Sequence, residues 1–143
     1  TFGIGISEAQ EGPIATQANV WEMSRTGNTV TAQFGDLILS GDIQNSNSCH
    51  SIVVSGVFSR QTQSGLNPDR ITLSLYIDGV ESQSESLDAT LQVDDPTVET
   101  IIGDPESASG AGILSSPIIL NTNFSAPSPL TLEAFSQQLC DGH

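Results

Sequence analysis

Residues 70–77 read Arg70-Ile-Thr-Leu-Ser-Leu-Tyr-Ile77, and this stretch decides the fold class. Ile71, Leu73, Leu75 and Ile77 alternate with Thr72, Ser74, Tyr76 and Asp78. A period of two puts the four aliphatics on one face of a β-strand. The stretch runs into Asp78-Gly79, the pair a tight hairpin wants at positive φ. The rest of the chain reads as strands packing around it.

Working outward, Ser51 to Phe58 is an expected strand with Ile52, Val54 and Phe58 on one face and Val53 and Val57 on the other. Leu87 to Val93 alternates too, with Leu87, Ala89, Leu91 and Val93 inward. Asn19–Arg25 and Thr29–Phe34 are strands joined by a Gly27-Asn28 turn. Leu37-Ile-Leu39 is a fully apolar run, of the kind found in a strand covered on both sides. Val98–Ile102 is a short strand, and Ile113–Leu120, interrupted by Pro117, suits a sheet edge. Leu130–Leu139 fits a strand, or a short helix from Ser128 with Leu132, Ala134, Phe135 and Leu139 on one face; the strand is preferred, because Cys140 must reach Cys49. About nine short strands separated by turn chemistry predict an all-β, single-domain β-sandwich or jelly roll.

The 143 residues form one domain, long enough to bury about 70% of its unfolded surface. Seventeen acidic residues face three arginines and no lysine, a net charge of −14. Such a surface repels a phosphate backbone, which excludes nucleic acid and anionic membranes as partners. Two readings of the acidity remain: many cation sites, or a surface adapted to high salt, where screening removes the self-repulsion. Loss of lysine with arginine retained favours the second. In this respect the whole chain resembles secreted proteins of haloarchaea, and acidic surface proteins of marine bacteria are similar. No apolar run reaches the length of about 18 residues that a membrane helix needs. The start at Thr1 rather than Met fits a removed signal peptide or a trimmed chain.

Cys49 and Cys140 fit one disulfide formed in an oxidising compartment. The rival is zinc, because His50 adjoins Cys49 and His143 lies three residues after Cys140. Neighbouring residues of a strand point to opposite faces, so Cys49 and His50 are poorly placed to hold one ion. A catalytic triad would need His50 or His143 beside a serine, yet the chain has no G-x-S-x-G elbow, and no enzyme is expected. Asp94-Asp95, with Asp104 and Glu106 following, are weak Ca²⁺ candidates without the D-x-[DN]-x-[DN]-G loop; the alternative is a solvated turn. No resident cofactor or metal is otherwise implied. Asn123-Phe-Ser125 is an N-glycosylation sequon, and Asn47-Ser-Cys49 is a weaker match.

The chain opens Thr1-Phe-Gly-Ile-Gly-Ile-Ser7. Phe2, Ile4 and Ile6 share one face, while Gly3 and Gly5 leave the other without side-chain bulk, so another backbone can approach there. Residues 8–17 read as a polar linker and 18–143 as the sandwich body. In this arrangement the segment resembles the N-terminal extensions of donor-strand-exchanged pilins, both of chaperone–usher type and of archaeal thread-like and bundling pilins. The resemblance implies that Phe2, Gly3, Ile4, Gly5 and Ile6 insert into a neighbouring subunit and complete its sheet. Repeated head to tail, such a contact does not close and builds a filament.

The expectation is a secreted, disulfide-bonded structural subunit of an extracellular filament whose partner is itself, with no membrane insertion of the mature chain. Two alternatives are a monomeric binding or adhesion module, with Ca²⁺ as candidate ion, and a viral capsid or spike jelly roll. In the first of these, Thr1–Ser7 is an ordinary strand.

Overall fold

The computed structural model describes residues 1–59, 70–87, 97–103, 112–119 and 131–141. These form ten strands and one helix: β1 (Phe2–Ile6), β2 (Gly12–Gln17), β3 (Trp21–Thr26), β4 (Thr29–Phe34), β5 (Leu37–Asp42), β6 (His50–Ser59), β7 (Arg70–Ile77), β8 (Val80–Leu87), β9 (Thr100–Ile102), β10 (Ile118–Ile119) and α1 (Leu132–Cys140). Two five-stranded sheets, ordered β10-β1-β6-β7-β8 and β5-β4-β3-β2-β9, pack face to face as a β-sandwich. Every strand pairing is antiparallel.

The alternation in β7 sorts its side chains as the sequence predicts: Ile71, Leu73, Leu75 and Ile77 lie in the core between the sheets. Asp78 (φ 52°) and Gly79 (φ 81°) close the β7–β8 hairpin in two residues, with Ile77 paired to Val80. Positive φ at both loop positions matches the right-handed twist of the flanking strands, and Asp tolerates that conformation better than most side chains. Ile52 and Val54 of β6 face the same core as Ile4 and Ile6 of β1. The other face of this sheet is covered as well, since Val53 and Tyr76 form a second cluster with Phe135 and Leu139 of α1. Burial raises the Tyr76 phenol above its ordinary range, and the neighbouring Glu81 carboxylate adds to the rise.

Four elements differ from expectation. Residues 132–140 are helical: Thr131 caps the helix by accepting a hydrogen bond from the Ala134 backbone N–H at 3.2 Å, and Phe135, Ser136 and Leu139 face inward at helical spacing. The helix still brings Cys140 to Cys49, so the argument that preferred a strand did not discriminate. Residues 12–17, read as linker, form β2, with Ile14 and Ala15 fully buried and a bulge between Pro13 and Ala15. The run 37–39 is covered on one side only, since Ile38 is 53% exposed; β5 is an edge strand with a single core face. Residues 80–87 are almost wholly polar and carry no apolar period, yet they form β8 along β7. There the Thr72–Ser86 and Ser74–Ser84 hydroxyl pairs, at 2.8 and 2.9 Å, supply cross-strand contacts in place of apolar ones.

One flank of the sandwich is drawn together. The Ser40 backbone N–H of β5 donates to Gln83 Oε1 of β8 at 2.8 Å. Gly41 lies so close that a Cβ there would meet Ser82. The opposite flank is bounded by the short edges β9 and β10. No helix among the described residues is long and apolar enough to cross a membrane.

Candidate strand-insertion site

β1 lies inside its sheet, between β6 and β10. Phe2 through Ile6 pair with Val54 through His50 on one side, and Phe2 and Gly3 pair with Ile119 and Ile118 on the other. Beyond β10 the pairing continues by other means. The Leu114 backbone N–H donates to the Gly5 carbonyl at 2.9 Å, and the Gly5 N–H donates to Ser115 Oγ at 2.8 Å. Ile4 and Ile6 are fully buried in the central core. At roughly 1.5–3 kcal/mol for each aliphatic side chain, these two supply a large part of the net stability of about 5–15 kcal/mol that a domain holds.

The outer face of β1 explains its glycines. A Cβ on Gly3 would stand 2.7 Å from the Phe135 ring, and one on Gly5 would stand 2.5 Å from the Leu139 carbonyl oxygen. The close approach that the alternation predicts is made by α1, whose side chains and backbone fill both notches. The helix is fastened by the Cys49–Cys140 disulfide, with Cα atoms 5.8 Å apart. That bond takes up both sulfurs and removes the zinc alternative.

The C-terminal end of β1 is clasped. The Ser7 N–H donates to the Gly112 carbonyl at 2.7 Å, and Arg25 Nη1 donates to the Ser7 carbonyl at 3.0 Å. Buried His50 lies beneath, with Nδ1 at 2.9 Å from Asp78 Oδ2 and Nε2 at 3.4 Å from Glu8 Oε1. Asp78 Oδ1 also accepts from the Ser51 N–H at 3.1 Å, which ties the β7–β8 turn to β6. Ser51 Oγ instead meets Ser136 Oγ of α1 at 2.6 Å. The ring therefore faces two carboxylates rather than a serine hydroxyl, and ties the β7–β8 turn and the segment after β1 to β6. Gln10, in the connection to β2, is fully buried with Nε2 donating to the Pro13 carbonyl at 2.8 Å; its Oε1 has no hydrogen-bond partner among the described residues.

The N-terminal end of β1 is open. Phe2 stands 5.5 Å from Trp21, which in turn stacks on Phe34 at 5.9 Å. Beside them is a mostly apolar cavity of about 380 Å³ whose lining includes Met23, Val54, Leu73 and the exposed Ile119. Burial lowers the affinity of the Thr1 amine for its proton.

Among the predicted site residues, Phe2, Gly3, Ile4, Gly5 and Ile6 thus sit in one strand under α1, and Cys49 and Cys140 are joined. Asp94, Asp95, Asp104, Glu106, Asn123 and His143 lie outside the described residues. No group of three metal-ligating side chains occurs among the described residues. Glu8, Asp78, Phe135 and Leu139 were not singled out as site residues; their only signals were the turn pair at 78–79 and a helical spacing shared with many core helices. No family model, curated protein or solved structure matches the chain.

Proposed function

We propose that this protein is the repeating subunit of an extracellular filament, assembled by insertion of β1 into the neighbouring copy. The observation that carries the reading is the position of β1. It supplies two core side chains and lies in the interior of a sheet, and a connection of five residues between Ile6 and Gly12 links it to β2. The same pairing and burial are satisfied when β1 comes from a second copy, so exchange loses no contact within the groove. Insertion within one chain has the advantage of an effective concentration of order millimolar. Fully extended, the five residues reach about 17 Å, enough to span a contact between adjacent subunits. The disulfide suits an oxidising, secreted setting. A charge of −14 on every subunit makes assembly depend on salt, because the screening length falls to about 3 Å at 1 M.

The test is electron microscopy at low and molar salt, with a cross-linking variant that distinguishes the two sources of β1. Thr1 Oγ1 and Ser55 Oγ are 2.8 Å apart, so Thr1→Cys with Ser55→Cys bridges β1 to its groove. Regular fibres in molar salt, giving a ladder of covalent oligomers on a non-reducing gel, are expected. Discrete particles at both salt concentrations, with the bridge confined to single chains, would overturn the reading.

A further inference from the structure

We infer that the Cys49–Cys140 disulfide is a redox lock on β1, holding α1 over the strand and so slowing the exit and entry of β1 until the bond is reduced. The inference rests on the strand-insertion reading and adds its regulation. Three observations carry it. First, α1 is what closes the outer side of the groove: Phe135 and Leu139 occupy the space above Gly3 and Gly5 so tightly that not even a methyl group fits. A strand with the core on one face and this helix on the other cannot lift out of the sheet on its outer side without displacing the helix. Second, α1 has nine residues, too few to persist as an isolated helix in water. Its hold on the sheet therefore depends on what anchors it. Third, the anchor sits beside the strand it guards. Cys140 ends the helix, and Cys49 directly precedes His50, the residue paired with Ile6 and bonded to the clasp carboxylates. With the bond open, Phe135, Leu139 and the Ser136–Ser51 hydrogen bond remain to hold α1 down.

Both cysteines are partly exposed, so a small reductant can reach the bond. A dithiol supplies the chemistry. Its thiolate attacks one sulfur and forms a mixed disulfide. Its second thiolate then displaces the remaining protein thiolate. The Cys49–Cys140 bond takes up two electrons and two protons, giving two thiols, and the dithiol is oxidised to its cyclic disulfide. Reoxidation by a small-molecule disulfide, which is itself reduced to two thiols as the Cys49–Cys140 bond re-forms, fixes β1 wherever it then lies, in its own chain or in a neighbour. The sequence of events this implies is insertion first and oxidation second.

The experiment uses the whole chain and a fluorescent synthetic peptide of residues 1–7, whose incorporation is followed by size exclusion at fixed molar salt. The expected result is incorporation at least tenfold faster after dithiothreitol treatment, arrested when the protein is reoxidised. A Phe135→Ala variant with its disulfide intact loosens the helix without reduction, and is expected to take up peptide faster than the oxidised parent. Amide hydrogen exchange guards against general unfolding: reduction should expose amides of β1 and α1 while β3 and β4 stay protected. Equal incorporation in the oxidised and reduced forms would overturn the lock and leave strand exchange standing. Uniform loss of protection across both sheets would overturn it too, by making the disulfide a general staple. No incorporation in either form, together with absence of fibres, would remove both the lock and the strand-insertion reading.

Discussion

The two ends of β1 are built in opposite ways. At Ile6 the strand is held by backbone bonds, a buried histidine between two carboxylates, an arginine on the Ser7 carbonyl and the nearby disulfide. At Phe2 it is held by pairing to Val54 and Ile119, by the Thr1–Ser55 hydroxyl contact and by aromatic contacts beside an open apolar cavity. Directional bonds fix register, whereas ring contacts tolerate small displacements. The clasped end adds buried side-chain bonds to its pairing, and the end beside the cavity is where the strand is expected to fray first.

Three substitutions break or sharpen that contrast. The largest effect is expected from Gly5→Val. Its side chain would collide with the Leu139 carbonyl and lift α1, costing about 3 kcal/mol or more, measured as a lowered urea midpoint. A loss below about 1 kcal/mol would mean that the helix is not seated on the strand. Asp78→Asn comes next. Asparagine keeps the positive φ of the turn but removes the charge facing His50, with about 2 kcal/mol lost at the clasped end. Phe2→Leu at the open end should cost only about 1 kcal/mol. It should also shift the emission of Trp21, the only tryptophan, because its ring neighbour on β1 is gone. Should Phe2→Leu prove costlier than Asp78→Asn, the assignment of the two ends would be reversed.

How much of this was legible in the sequence follows from which forces leave a periodic trace. β7 was readable because its inner face is purely aliphatic and its turn is Asp78-Gly79. The sandwich followed from the same kind of signal, while the disulfide followed from the chain having two cysteines and the edge position of the segment with Pro117 from the proline. β8 was not readable, because Ser82, Ser84 and Ser86 contribute hydroxyl pairs and solvent exposure rather than an apolar period. The clasp was hidden for a different reason. Glu8, Asp78 and His50 are far apart in sequence, and nothing local marks residues that only the fold brings together. The glycines at 3 and 5 announced a close neighbour without saying which; α1 fills that place through side chains some 130 residues away, at a spacing that also fitted a strand.

The polar character of β8 has a consequence for how copies of this molecule can meet. A bare sheet edge invites sideways growth into aggregates. Here Glu81 and Glu85, both exposed, lie along the outermost strand, and the Gln83 side chain between them is turned toward β5. A second copy approaching along this edge would meet a strand that carries an exposed carboxylate on each of its faces, and charged side chains blunt an edge against such pairing. The flank thus discourages lateral fusion, keeping any ordered association to other faces of the molecule.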